Sequence, residues 1–150
     1  MFMTTPSDML DALEELNLKE VVLEAIEDHK EDYVKLNLEQ LYQGLNPQGE
    51  KITPEYVEGP YRRKKARMNS APGEGTPDFK LSGDSYDETH AEVDEDEIEI
   101  KTDTEYFQYN EQRWGDAEIW GLDESNHEEF VDEILQPLIV EKVSELTGLK

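Results

Sequence analysis

Cysteine is absent from the 150-residue sequence, and histidine occurs only three times. The lack of cysteine excludes disulfide bonds and thiolate metal sites, and it removes the thiol nucleophile of covalent catalysis. Two motifs that present other reactive groups are also missing, the Gly-x-Ser-x-Gly nucleophile turn and a glycine-rich phosphate loop before a helix. We therefore expect no catalytic residues and no cofactor, and we interpret the protein as a non-enzyme.

Long hydrophobic runs are missing as well. The longest apolar run near the end of the sequence, Leu138–Val140, is far too short to span a bilayer. The first residues, Met1–Pro6, contain neither a basic leader nor an apolar run, so we expect no signal peptide. The expected location is the cytoplasm of the cell that makes the protein, with no membrane partner.

Basic residues are scarce, because 14 lysines and arginines face 38 acidic residues and the net charge is −24. Such a charge repels itself within a lone compact domain. It also disfavours nucleic acid as a ligand for most of the surface, since phosphate binding needs clustered cations. Only 35% of the residues are hydrophobic. This composition predicts one domain with a modest core, or a chain that completes its burial against neighbouring subunits.

The few basic residues concentrate in one island. Residues 61–79 hold five cations and two acids, whereas residues 1–60 and 80–150 carry net charges of −10 and −17. The island is a nucleic-acid patch, a solvated arm, or a surface that docks on an acidic face of a neighbouring copy. The last interpretation fits the whole chain best. The predicted interface residues of the island are Arg62, Arg63, Lys64, Lys65 and Arg67.

Residues 1–45 are predicted to form a helical segment. Apolar residues recur at steps of three and four from Leu18 onward, which places them on one face of a helix. Asn17 indicates a break before this helix, and Asn37 with Gln40 indicates the start of a further turn.

Periodicity disappears after Asn46, where prolines and glycines interrupt the sequence as far as Pro77. A structureless stretch of this length inside a compact domain is uncommon, and it is usually functional or disordered. We interpret residues 46–76 as an extended arm that carries the basic island.

Residues 77–150 are predicted to form an α+β module. Alternating apolar residues at 89–93 and 98–102 indicate a β-hairpin with an acidic turn. The expected fold class is α+β: N-terminal helices, the extended arm, and a small hairpin-containing sheet packed on a C-terminal helix.

The C-terminal helix has its own start and stop signals. Asp123 or Ser125 is the predicted N-cap, and Gly148 is the predicted stop. Pro137 lies inside the helix and is expected to cause either a kink or a late restart of the helix.

Two short patterns resemble metal sites. Glu124 and His127 have the Glu-x-x-His spacing of di-iron bundles, but no second such pair exists in the sequence. Asp94–Glu97 begins like a calcium loop, but Glu99 stands where the EF-hand requires glycine. We therefore predict no metal site.

Aromatic residues gather between Tyr106 and Trp120, and the first part of this stretch is predicted to form a short helix. Trp114 and Trp120 belong either to a small aromatic core under the hairpin or to an exposed anchor at a subunit interface, where tryptophan concentrates. Both are candidate interface residues.

The order of elements after residue 77 resembles one family. Leu81-Ser82-Gly83 looks like the Leu-Thr-Gly element that begins the folded part of small phage neck and tail-completion proteins. A hairpin pattern at 85–102 follows, and Tyr106–Gly115 and Ile119–Leu122 come next in the same order. The chain resembles the head–tail connector ring proteins of tailed phages, including the crAss-like phages of Bacteroidetes.

The resemblance implies a structural virion protein of the neck or tail, assembled in the host cytoplasm. It implies a ring of about twelve copies, or of about six, in contact with the portal and with adjacent neck or tail proteins. Genomic DNA would pass through an acidic lumen without specific binding, since like charges repel. An alternative from another class is an acidic DNA mimic that inhibits a DNA-binding host enzyme.

Overall fold

Three consecutive helices open the structure. Helix α1 spans Pro6–Glu15, α2 spans Leu18–Asp28 and α3 spans Lys30–Tyr42. The side chain of Asn17 accepts a hydrogen bond from the Glu20 amide at 3.2 Å, so Asn17 is the N-cap of α2. The predicted N-terminal helices and the break at Asn17 are confirmed.

The computed structural model describes residues 5–80, 84–102, 113–115 and 119–148. The Leu81-Ser82-Gly83 element and most of the predicted short aromatic helix lie outside these described residues.

The middle of the chain is folded rather than extended. Helix α4 spans Pro60–Met68, and Ile52 is fully buried. The Ile52 amide donates to the Gly44 carbonyl at 2.9 Å, and the Tyr56 amide donates to the Gly75 carbonyl at 2.8 Å. The prediction of an extended arm at 46–76 is therefore wrong.

The prolines and glycines of this segment form turns that hold it against α3. Gly44, which follows α3, has φ of +73°, and a Cβ atom added there would lie 2.4 Å from the Cβ of Pro72. Only glycine permits this approach, which brings the end of the segment back against its beginning.

The predicted hairpin is confirmed. A short helix α5 at Asp84–Asp87 leads into β1 at Thr89–Val93, which pairs antiparallel with β2 at Ile98–Thr102. Ala91 and Ile100 lie opposite each other and are both buried. The sheet packs along α3.

The C-terminal helical region has three parts: α6 at Glu124–Glu128, a π-helical stretch at Glu129–Leu135, and α7 at Gln136–Thr147. Pro137 lies in the first turn of α7, where its missing N–H is tolerated. The α-helix therefore restarts next to Pro137, directly after the π-helical stretch.

Both ends of this region follow the sequence signals. Asp123 is the N-cap and accepts a hydrogen bond from the Asn126 amide at 2.9 Å. Gly148 follows α7 with φ of +70°, the left-handed conformation that ends many helices.

Within the described residues, two apolar clusters form much of the core. The first cluster draws on all three predicted segments and consists of Leu41, Ile52, Phe79 and Ile119. The second cluster joins α2 and α3 to the C-terminal helical region and consists of Ala25, Leu36, Phe130 and Leu135. Ile98 of the hairpin packs against the second cluster, which links the sheet to the C-terminal region.

Candidate subunit interface

Helix α4 divides the basic island between two faces. Residues 62, 65, 66 and 69 recur at steps of three and four and face the body of the subunit, whereas 63, 64 and 67 face outward. The exposed fractions follow this division, because Lys65 is buried and Arg62 is half-buried, while Arg63, Lys64 and Arg67 are exposed. The five cations therefore do not act as one group.

Lys65 belongs to the interior. Its side chain is 5% exposed and forms an ion pair with Asp78, which is 3% exposed. Its Nζ also donates to the Lys80 carbonyl. Asn69 completes the site by donating to Asp78 Oδ2 at 3.0 Å and to the Tyr42 carbonyl at 2.7 Å. Lys65 cannot present its ammonium to a neighbouring subunit while this fold is intact, which corrects its predicted role.

Arg62 holds the chain before α4 against the chain after it. Its Nη1 donates to Glu55 Oε2 at 3.0 Å and to the Tyr56 carbonyl at 3.1 Å. The guanidinium lies directly over Gly75, where an added Cβ would come within 2.5 Å of it. Arg62 therefore contributes to the fold of its own subunit.

The three outward cations form the candidate interface. Within the described residues, the ion pairs made by α4 involve Arg62 and Lys65, and none involves Arg63, Lys64 or Arg67. Two partly exposed side chains with apolar groups flank this face, Tyr61 at 39% and Met68 at 51% exposed, and the Tyr61 ring also packs edge to face on Tyr56 with ring centroids 5.3 Å apart. A surface that combines cations with apolar groups suits an acidic partner that also has apolar surface.

The two tryptophans lie beside the first core cluster. The Trp114 ring contacts Phe79 edge to face with ring centroids 5.1 Å apart, and its Nε1 donates to the Pro54 carbonyl at 2.6 Å. Trp120 packs against the same cluster. Both rings are half-buried, and their contact with a neighbouring subunit stays a prediction.

Asn37 and Gln40 have a positioning role that the sequence interpretation missed. They lie inside α3 and are buried, so they do not begin a new turn. Asn37 Oδ1 accepts a hydrogen bond from the Gly121 backbone amide at 3.0 Å, and Gln40 Oε1 accepts one from the Asp123 backbone amide at 2.8 Å. These two hydrogen bonds fix the position of the chain just before α6. The sequence did contain a signal that Asn37 lies on the buried face of α3, since residue 37 falls three positions after Val34 and four before Leu41.

A cavity of about 730 Å³ lies between α3 and β1. At one end the Lys80 ammonium lies 5.3 Å from the ring centre of Tyr42 and 5.4 Å from that of Tyr86. Burial, followed by the nearby Asp78 charge, raises the pKa of Tyr86 above its ordinary value, so its hydroxyl stays protonated. This hydroxyl donates to the Asp78 carbonyl, which makes it a structural group.

Glu124 and His127 are both exposed on α6. Across 5–80, 84–102, 113–115 and 119–148, no group of three His, Cys, Asp or Glu side chains is placed to hold a metal ion. In the same part of the chain, no helix combines the length and apolarity needed to cross a bilayer.

No protein family, curated protein or solved structure matches the chain.

Proposed function

We propose that the chain is a non-enzymatic structural subunit that assembles with copies of itself into a ring through the outward face of α4. The observation that carries the proposal is the separation of the basic island by the fold. Two of its cations stabilise the subunit, and Arg63, Lys64 and Arg67 project into solvent from a molecule with a net charge of −24.

A second copy is the partner that the charge distribution favours. Every copy carries both the cationic face and large acidic surfaces, so the two are always present at equal concentration. The two surfaces differ, which makes the contact head-to-tail, and a head-to-tail contact closes into a ring when its rotation allows. Each exposed ion pair contributes only about 0–1 kcal/mol, so the contact needs several pairs together with the apolar parts of Tyr61 and Met68.

The place of such a ring follows from the resemblance to phage neck and tail-completion proteins. We propose a ring of about twelve or about six copies in the virion, between the portal and the tail, which contacts both. Its acidic lumen would repel phosphate groups, so that DNA slides through without adhering.

The first test removes the outward cations and leaves the inward ones intact. In the triple variant R63Q/K64Q/R67Q, oligomers measured by light scattering at physiological salt should decrease at least about tenfold. The far-UV circular dichroism should be unchanged, because none of the three side chains makes an ion pair with another described residue.

The matched control, K35Q/K101Q/K142Q, removes the same charge from other exposed or half-exposed lysines. It should assemble like the wild type. Normal assembly of the α4 variant, or equal loss in the control, would contradict the proposal.

A further inference from the structure

We infer that the acceptor for α4 on the next copy is the groove between α2 and the β1–β2 turn. This inference rests on the proposed function, and it names the partner surface of the same contact. The groove has a volume of about 520 Å³. It lies on a different part of the subunit from α4, as a head-to-tail contact requires.

The floor of the groove is apolar. Leu18 is 54% exposed at one end, and the remaining apolar lining comes from α2 and the hairpin. These lining residues are Val22, Leu23, Ile26, Val93 and Ile98. Exposed apolar surface of this kind, rimmed by charge, is typical of a protein contact site.

The rim of the groove is acidic. The turn contributes four consecutive acids at Asp94–Glu97, all exposed. Glu20, Glu24 and Glu27 of α2 line the adjoining surface, where Glu24 pairs with Lys142 at 3.8 Å and Glu27 with Lys30 at 2.6 Å. Among the described residues that line the groove itself, Lys19 is the one cation, and it pairs with Glu95 at 3.7 Å, both side chains being mostly exposed. The excess of negative charge is therefore accessible to a partner.

The outward face of α4 complements this groove in two respects. Its cations Arg63, Lys64 and Arg67 match the acidic rim, and the exposed parts of Tyr61 and Met68 match the apolar floor. The larger cavity between α3 and β1 is a poorer match. It is lined by three lysines (Lys30, Lys35, Lys80) and three acids (Glu31, Glu39, Asp87), so its lining lacks the excess of negative charge that would attract the cations of α4.

The two surfaces are attached to different parts of the pair formed by α2 and α3. Asn69, directly after α4, donates to the carbonyl of Tyr42 at the end of α3. The β1–β2 turn lies instead at the start of α2, where Glu95 reaches Lys19. Among the described residues that line the groove, none belongs to α4, so each copy offers a cationic surface and a separate acidic surface.

A charge-reversal exchange tests the pairing. Reversal of α4 (R63E/K64E/R67E) and reversal of the rim (E95K/D96K/E97K) should each weaken assembly at least about tenfold, as measured by sedimentation velocity. The variant that carries both reversals should assemble to within about threefold of the wild type. Asp94 is kept, because its Oδ1 accepts the Asp96 and Glu97 amides at 2.8 Å and shapes the turn.

The matched control for the rim is E128K/E129K/D132K, which reverses three exposed acids of the C-terminal helical region. It should assemble like the wild type. If α4 reversal abolishes assembly while rim reversal behaves like this control, the groove is the wrong acceptor and the proposed function still stands. If α4 reversal leaves assembly intact, the proposed function itself fails.

A crosslink checks the same contact in a second way and exploits the lack of cysteine in the chain. The variant K64C/E95C should form a ladder of disulfide-linked species on a non-reducing gel, up to the number of copies in the ring. The variants K64C and E95C alone should stop at dimers, and K35C/E95C should give no ladder. A ladder from K35C/E95C, or none from K64C/E95C in an assembled sample, would overturn the assignment of the groove.

Discussion

Lys65 and Asp78 compensate each other's charge in the interior, so the removal of Lys65 alone should be costly. The variant K65M leaves a buried carboxylate without its counter-ion, and losing one partner of a buried pair typically costs about 3–5 kcal/mol. We expect the free energy of unfolding, measured by urea titration, to fall by that amount. The neighbouring variant K64M, on the exposed face, should change it by less than about 0.5 kcal/mol.

A double variant separates the lost ion pair from lost packing. In K65M/D78N the buried charge is gone, and the amide oxygen at 78 can still accept the Lys80 amide that Asp78 Oδ1 accepts at 3.0 Å. The double variant should therefore be more stable than K65M. A K65M variant as stable as K64M would mean that Lys65 is not buried with Asp78.

The same residues show what a sequence can and cannot reveal about the candidate site. The number of cations and their place in the chain are evident in the sequence, and so is the helical step that separates 62 and 65 from 63, 64 and 67. The buried face of α4 is the one that meets Asp78, Glu55 and Gly75, and these three residues lie outside the helix. A pattern of local spacing does not contain that information.

The β1–β2 turn depends on one carboxylate, and this gives it a predictable pH response. Asp94 is exposed, and the hydrogen bonds from the Asp96 and Glu97 amides lower its pKa below the ordinary value of 3.8. A carboxyl group with a lowered native pKa adds stability that is present above its unfolded pKa, and that stability is lost as the pH falls through the native pKa. The turn should therefore weaken below about pH 4.

The variant D94N tests this response, because asparagine keeps the acceptor oxygen and removes the charge. The wild type should be the more stable of the two at about pH 6, and the difference should be smaller at about pH 3, below the ordinary pKa of an aspartate. Urea titrations at the two pH values measure it. A difference that stays constant between them would show that the charge of Asp94 does not stabilise the turn.

The elements that the sequence predicts well are those with local signals. The hairpin alternates with period two around an acidic turn, and the C-terminal helix has an N-cap at Asp123 and a stop at Gly148. The segment 46–76 has local signals only within α4, such as Pro60 at its start, and the order of the rest comes from contacts with distant residues. Ile52 is buried beside Leu41 and Ile119, and α4 is held through Asp78. The prolines and glycines there were evident, but their role as turns depends on partners far along the chain.

At the scale of the whole molecule, the net charge predicts how the protein behaves towards DNA. Purified protein should give no mobility shift with duplex DNA at physiological salt, because three outward cations oppose a net charge of −24. A shift that disappears in R63Q/K64Q/R67Q would instead make α4 a nucleic-acid patch. If the protein competes with DNA for a DNA-binding enzyme, the alternative function of an acidic DNA mimic would be favoured.

Sedimentation velocity of the whole protein over a concentration series measures whether the outward cations of α4 hold copies of this chain in a ring. We expect a closed oligomer of about six or about twelve copies at physiological salt. It should dissociate at about 1 M salt, where the screening length falls from about 8 Å to about 3 Å. R63Q/K64Q/R67Q should sediment as a monomer at both. A wild type that stays monomeric at every concentration and salt, or a variant indistinguishable from it, would contradict the account.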